Sequence, residues 1–336
     1  MEKILTISVA AYNVERYLCK LLDNIIESER SPKLDVIVVN DGSTDSTSSI
    51  AARYADRYPG SIRLIDKEDE GHGSTINRGI REAKGKYFKA LDGDDWLDAN
   101  ALAKLVDLLE NCDSDLVVCG HKFVYESDGT EREVKMGLVP EVEYSLDDAI
   151  RFLFGLQYHD IYYKSALLVK NAIKLTEYSF YTDSELVIYP LAHVKTVTRY
   201  DVTPYCYRIG VEGQSVSIKG FQKHQMEHRD ILMKLLDHYR LHESEWSQNM
   251  KIFHVRFIGV LVGMHIGIFF SYPLSIKRLK ELIIFDDQIK RFPDIYRYME
   301  IRSFRIWRYA RVIMYVPVHL WCGYKFRLKS GPHKRT

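Results

Sequence analysis

The chain has 336 residues, 46% of them hydrophobic and 28% charged, with 47 Lys+Arg against 46 Asp+Glu. That is the profile of a folded, soluble chain, long enough for two domains or for one α/β domain with an extension. It excludes a disordered chain, because no low-complexity run appears, and a small disulfide scaffold, because the five cysteines are few, odd in number and carry no CxxC pair.

Met1–Ala11 carries only Lys3 as a basic residue, and its apolar run Leu5–Val9 is strand-sized, so it reads as a strand rather than a secretory leader. Residues 15–28 read as a helix, with Leu18, Leu21, Leu22, Ile25 and Ile26 on one face. Asp35–Val39 is a buried strand, followed by a polar loop and a helix to about Tyr58. Ile62–Ile65, Tyr87–Leu91 and Leu116–Cys119 are further strands, separated by helices over Ser74–Ala83 and 99–110. Strand and helix in strict turn predict parallel βαβ units, a sheet covered by helices. From 121 to 145 the alternation lapses, and YESDGTERE predicts a turn between exposed strands. A helix is expected at 147–154, mixed short strands and loops over 161–217, and helices after Gly220.

Phe257–Phe270 is the most apolar window, but its 14 residues include His265 and fall short of the ~20 a membrane span needs. It reads as a core helix. Charge is uneven: Arg302–Thr336 holds nine Lys+Arg and no Asp or Glu, while residues 1–301 hold 38 against 46, a net −8.

In open α/β sheets ligands bind beyond the carboxyl ends of the strands. The polar clusters lie there: Asn13 after the first strand, Asn40–Thr44 after the second, Asp69–Ser74 after the third and Asp92–Asp95 after the fourth. Asn40-Asp41-Gly42-Ser43-Thr44-Asp45 reads equally as a capped βα turn or as a loop whose Asp41 accepts hydrogen bonds from a base or ribose. Asp92-Gly93-Asp94-Asp95 places three carboxylates in four residues. They repel one another, and a hard divalent cation would relieve that repulsion. Gly71–Gly79 places glycines before a helix, where backbone approaches an anion. GHGSTI lacks the third glycine of a dinucleotide fingerprint, and no Walker GK[ST] is present.

The segments AYNVERYL, VIVVNDGSTDST and EGHGSTINRGIREAKGKYFKALDGDDW resemble, in order and spacing, the nucleotide-sugar-binding half of family-2 glycosyltransferases of GT-A fold. YYKSALL, YSFYTDSELVIYPLAHVKTV and YCYRIGVEGQSVS resemble that family's acceptor-side segments more weakly, and the resemblance fades beyond about residue 220. It implies a glycosyltransferase domain over 1–219, with donor-binding half 1–120 and acceptor-side half 121–219, then a helical region 220–336 ending in a basic, aromatic tail. It also implies a donor pocket lined by Ala11, Tyr12, Asn13 and Glu15, with Asp41 on the uracil or ribose and Arg78 toward the diphosphate. Asp92 and Asp94 match the family's DxD, with Asp94 as ligand to Mn²⁺ or Mg²⁺ and Asp92 near ribose and metal. Asp183 falls where the family has its catalytic base, with Thr182 in place of the usual Glu.

An inverting transfer needs one carboxylate to take the acceptor proton and a cation to absorb the leaving group's charge. Residues 92–95 and 183–185 supply both, with Glu185 as second-choice base; from local sequence alone Asp183 also reads as a helix cap. Arg208, Gln214 and Ser215 are expected to close over the diphosphate. The QxxRW motif of processive members is absent, which favours single addition. His72 and His159 read as structural, as lone histidines usually are. Arg305, Arg308 and Arg311, with Trp307, Tyr309, Ile313, Met314, Tyr315 and Trp321, and Lys325, Arg327, Lys329, Lys334 and Arg335 beyond Pro317, suit an interfacial helix on an anionic leaflet. The alternatives are a helix packed on the protein's own acidic body or an RNA-binding tail.

The expected reaction is therefore metal-dependent inverting transfer from a nucleotide-sugar, UDP-linked, to a glycan or lipid-linked acceptor of cell-surface polysaccharide. The expected location is cytoplasmic and peripheral on the inner face of the membrane, with no nucleic-acid partner. Two other readings compete: a non-catalytic nucleotide-sugar-binding protein of the same fold, and a nucleotidyltransferase, whose N-terminal glycine-rich loop AAYNVERY lacks.

Overall fold

The computed structural model describes residues 2–210, 217–299, 307–308 and 311–320. The chain forms two compact units, Met1–Val211 and Glu212–Thr336. The first opens as the periodicity predicts: β1 (Leu5–Ala11), α1 (Glu15–Glu27), β2 (Leu34–Asp41), α2 (Thr47–Arg57), β3 (Ile62–Lys67), α3 (His72–Glu82) and β4 (Tyr87–Asp92). Then come β5 (Trp96–Leu97), α4 (Ala99–Glu110), β6 (Leu116–Val118), β7 (His121–Tyr125), β8 (Glu131–Val134), β9 (Glu143–Ser145) and α5 (Leu146–Ile150). The unit ends with β10 (Ile161–Lys164), α6 (Ser165–Lys170), α7 (Asp183–Ile188), β11 (Thr196–Arg199) and β12 (Tyr205–Ile209).

Eight strands form one sheet in the order β3-β2-β1-β4-β10-β6-β11-β9. The first four are parallel. β6 follows β4 in the alternation but does not lie beside it, because β10 inserts between them antiparallel to both. Leu5, Ile7 and Val9 of β1 and Leu34, Val36 and Val38 of β2 bury against Leu18, Leu21, Leu22 and Ile25 of α1, Ile50 of α2, and Leu102, Leu105 and Val106 of α4. The alternate β1 residues turn to α3. α4 starts where Asp98 accepts from the Ala101 amide at 2.8 Å, an N-cap that satisfies an otherwise orphaned donor. The helix expected at 147–154 is shorter, Leu146–Ile150. A smaller sheet, β5-β12-β7-β8, stands beside the carboxyl end of β4.

The second unit holds α8 (Ile218–Lys223), α9 (Gln225–His242), α10 (Gln248–Ser271), α11 (Ile276–Ile289) and α12 (Pro293–Tyr298). The apolar window lies inside α10, which is long and apolar enough to cross a membrane by length and composition, and half of its most apolar 18-residue stretch is buried. Its buried histidines have partners within the unit: His254 Nδ1 donates to Met250 O at 2.8 Å, and His265 Nδ1 meets His228 Nδ1 at 3.2 Å. The His265–His228 contact packs α10 on α9.

Two arginines expected on a membrane face turn inward instead. Arg308 Nε and Arg311 Nη2 donate to the buried Asp286 carboxylate at 2.9 and 2.8 Å, and Arg308 lies 3.5 Å over the Tyr296 ring. A buried carboxylate needs such partners, and it takes them from the nearest basic segment. Arg305, Tyr309, Trp321 and the five basic residues beyond Leu320 lie outside the described residues.

Candidate active site

The carboxyl ends of β1, β2 and β4 meet here because those strands are parallel neighbours. Past Ala11, the last residue of β1, Asn13 has φ +52°, which asparagine tolerates better than most residues. Asn13 Oδ1 accepts from the Thr44 amide at 2.9 Å, and its own amide donates to Ser43 Oγ at 3.0 Å. Glu15 accepts from the Ser46 amide at 2.9 Å. Asn13 and Glu15 thus lace the first loop to the second, leaving Tyr12 exposed at their rim. Asp41 closes β2; it is buried, bound by the Lys67 ammonium, and accepts from the Glu70 amide at 3.1 Å.

The acidic cluster follows β4. Asp92 meets His72 Nε2 at 3.0 Å and accepts from the Tyr158 hydroxyl. Asp95 is buried; it accepts from Tyr205 Oη at 2.7 Å and the Arg208 amide at 2.8 Å. Tyr158 and Tyr205 hydroxyls touch at 3.0 Å, closing the cluster's floor. Below, the buried Lys89 ammonium donates to Tyr158 O and His159 O at 2.8 and 2.6 Å, and burial pulls its pKa down to about 7. Burial also pushes the Asp94 carboxyl up to about 6, with the neighbouring Asp92 charge adding to it. Asp95 is raised by burial and by both neighbours. Burial opposes ionisation of Asp92 too, but the His72 and Tyr158 hydrogen bonds hold it below the ordinary value.

A carboxylate cluster with this much unrelieved repulsion is chemically suited to a divalent cation. Asp92, Asp95 and His159 bring ligand atoms within 4.8 Å of one another. Both aspartates of that trio are already hydrogen-bonded to the tyrosine hydroxyls, so it forms the floor. Asp92 and Asp94, only half-buried, form the open side.

The opposite wall comes from 176–185. Gly71, at φ +84°, caps α3, and its backbone packs on Tyr178 and Ser179. A Cβ at Gly73 would lie 2.0 Å from Thr176 O, so any side chain there would push this segment away. Tyr178 and Tyr181 both hold positive φ, +56° and +66°, a costly conformation for bulky residues and one that gathers at functional sites. Tyr178 is held by its amide, which donates to Glu70 O at 2.5 Å. Asp183, the first residue of α7, is half-buried. Burial raises its pKa, and the proximity of His72 only partly offsets this. His72 Nδ1 reaches Thr182 Oγ1 at 3.1 Å, so one ring joins the acidic cluster to the residue before Asp183.

Three expected site residues are engaged elsewhere. Arg78 pairs with Glu82 at 3.1 Å along α3, a turn and a half beyond His72, and is not brought to the cluster. Arg208 is buried between the Tyr17 and Trp96 rings, pairs with Glu126, and donates to Asp94 O at 2.7 Å. It buttresses the acidic turn from behind instead of reaching outward. Glu185, the second-choice base, is buried, taking the Thr176 amide at 2.7 Å and the Tyr189 hydroxyl at 2.9 Å. Gln214 and Ser215 lie outside the described residues. Sequence reasoning missed the linking role of His72 and the tyrosine floor; a histidine inside the glycine loop was the available signal for the first.

Residues 6–174 match the family model described as Glycosyl transferase family 2. The chain is 31% identical over 121 residues to the Putative glycosyltransferase EpsH of Bacillus subtilis (strain 168), covering 36% of this chain and 34% of that one. It is 29% identical over 209 residues to the Teichoic acid poly(glycerol phosphate) polymerase of Staphylococcus epidermidis, covering 61% and 28%. The matches span about a third to a half of the length of the first curated relatives. In fold, the chain is similar to S. aureus TarS 1-349 in complex with UDP-GlcNAc, with TM-score 0.66, 19% identity and coverage of 99% and 93%. It is also similar to mannosyltransferase PcManGT from Pyrobaculum calidifontis in complex with GDP-Man and Mn2+, with TM-score 0.50, 16% identity and coverage of 96% and 88%.

Proposed function

The chain belongs to glycosyl transferase family 2, and from that premise we propose a metal-dependent, inverting, single-addition transferase that uses a UDP-sugar. The observation that carries this reading is the meeting at one sheet edge of an open carboxylate pair, Asp92 and Asp94, with a separate carboxylate of raised pKa, Asp183. The UDP-GlcNAc bound in the TarS structure and the Mn2+ bound in the mannosyltransferase support the donor and cation classes.

Ala11, Tyr12, Asn13, Glu15 and Asp41 would form the donor cradle, with Asp41 on the base or ribose. Asp94 and Asp92 would hold Mn²⁺ or Mg²⁺, which when bound offsets the charge of the departing nucleoside diphosphate. Asp183 would take the proton of the acceptor hydroxyl as its oxygen bonds to the anomeric carbon from the face opposite the diphosphate. The configuration inverts, and the proton rests on Asp183. Thr182, which stands where the family usually has a glutamate, here meets His72 Nδ1 at 3.1 Å, so its presence does not favour a non-catalytic binding protein.

The test is nucleoside diphosphate release from a panel of nucleotide-sugars, with Mn²⁺, Mg²⁺ or EDTA. Cation-dependent release from a UDP-sugar is expected. Tight donor binding without turnover under any acceptor would overturn the transferase reading.

The acceptor is a glycan or lipid-linked glycan of cell-surface polysaccharide, a reading that the teichoic acid polymerase relative supports. We place the protein peripherally on the inner leaflet. Val312, Ile313, Val316 and Leu320 are 69%, 79%, 48% and 63% exposed, while Tyr315, Val318 and His319 are buried, so an apolar stripe faces outward. Five basic residues and no acidic ones follow Leu320 in the sequence. Such a stripe beside a basic segment suits an anionic lipid surface. Sedimentation with anionic vesicles should be salt-sensitive, and Ile313→Asp with Leu320→Asp should weaken it about tenfold or more, given ~1.5–3 kcal/mol per buried aliphatic side chain. Binding unaffected by either change would refute this location.

A further inference from the structure

We propose that His72 is a positioning residue that holds the cation-binding carboxylate and the base-bearing loop in mutual register. The inference rests on the transferase reading above and adds to it a group that neither motif contains. Three segments far apart in the chain meet at this ring. Its own backbone opens α3, directly after the Gly71 cap. Nε2 lies 3.0 Å from Asp92 Oδ1, at the end of the central strand β4. Nδ1 lies 3.1 Å from Thr182 Oγ1, the residue before Asp183.

The chemistry assigns each contact a direction. A carboxylate only accepts, so the Nε2–H donates to Asp92. In the neutral ring Nδ1 then accepts, and the Thr182 hydroxyl donates to it. A hydroxyl at 182 can donate to a neutral ring or accept from a protonated one, so it meets Nδ1 in either state. A side chain with acceptors only at 182 could not donate to a neutral ring as the threonine hydroxyl does. Threonine at 182 and histidine at 72 thus form a matched pair in this chain.

The two sides are held by different parts of the fold, which gives the bridge its use. Asp92 ends a strand hydrogen-bonded on both sides. Thr182 follows Tyr181, whose backbone is held at positive φ, in a segment outside the sheet. Gly73 packs against Thr176 O so closely that the start of α3 and this loop have no slack between them. His72 transfers the fixed position of the strand end to the loop that carries Asp183. Supporting contacts of this type carry about 10–100-fold in activity or metal affinity, and a 1 Å displacement of a reacting group about 10²-fold.

The experiment compares His72→Ala, His72→Gln, Thr182→Val and Thr182→Ser in the full-length protein. Three quantities are read: kcat with saturating donor and acceptor, Mn²⁺ affinity by calorimetry, and the melting temperature. His72→Ala should lower kcat about 10–100-fold and weaken Mn²⁺ binding. Gln retains an amide N–H near the Nε2 position, so His72→Gln should recover Mn²⁺ affinity to within about threefold while kcat stays low. Thr182→Val should lower kcat with Mn²⁺ affinity held, and Thr182→Ser should restore it. Wild-type values in His72→Ala would overturn the proposal. So would losses in all four variants that simply track melting temperature. If the wild type turns over no donor, the transferase reading fails, and the Mn²⁺ affinities of His72→Ala and His72→Gln still decide whether the ring orients Asp92.

Discussion

Asp183→Asn is expected to lower sugar transfer by about 10²–10⁴-fold, the usual contribution of a general base. The amide is nearly isosteric and keeps the start of α7, so folding and donor binding should survive. The loss should therefore fall on kcat, with the donor KM changed little. The pH profile gives a second signature. Burial raises the Asp183 pKa, so its base form is lost on acidification at a higher pH than for an ordinary aspartate. In the wild type, kcat/KM should fall as pH drops through that raised value, and the residual activity of the variant should lack this limb. An unchanged acidic limb in Asp183→Asn would assign the proton to another group. Glu185 is a poor candidate, because its oxygens are already taken by Thr176 and Tyr189.

Asp94→Ala is the second large effect. A cation polarising the leaving oxygen contributes several kcal/mol, so its loss should reduce transfer by about two to four orders of magnitude. Stability gives a readout independent of activity. Asp94 titrates at about 6 in the folded protein against an ordinary 3.8. Between those values the folded state binds more protons than the unfolded state, so without cation stability falls as pH rises through that window. Above it the ionised carboxylate crowds Asp92 and Mn²⁺ relieves the repulsion, whereas below it Mn²⁺ must first displace the proton. Adding Mn²⁺ should raise the melting temperature more at about pH 7.5 than at about pH 5.5. Asp94→Ala should melt higher than wild type in EDTA at about pH 7.5 and respond little to Mn²⁺. A full Mn²⁺ response in Asp94→Ala would move the cation to the trio Asp92, Asp95 and His159.

The α/β alternation over the first 110 residues was legible from periodicity because every signal it uses is local. Leu18, Leu21, Leu22 and Ile25 recur at helical spacing, and Val36–Val39 is a continuous apolar run; neither depends on what the rest of the chain does. Parallel strands also have a direction, so the loops bearing Asn13, Asp41 and Asp92 had to emerge at one edge. The acidic turn was legible for the same reason, since three carboxylates in four residues declare their own repulsion.

Tertiary packing decided the rest, because the deciding partner lay far along the chain. β10 enters the sheet antiparallel between β4 and β6, and no feature of IYYK announces that place. Arg208 looked available in its loop until Glu126, Tyr17 and Trp96 closed around it. Arg308 and Arg311 looked like a membrane face until buried Asp286 drew them in. His72 reads as one more polar residue in a glycine loop; it becomes a bridge only when Asp92 and Thr182, 20 and 110 residues away, arrive on its two nitrogens. Periodicity and motif spacing determine elements and the edge where they converge. Which polar group meets which, and therefore which charge is satisfied and which is left for a ligand, is settled by burial, where each group must find a partner in three dimensions.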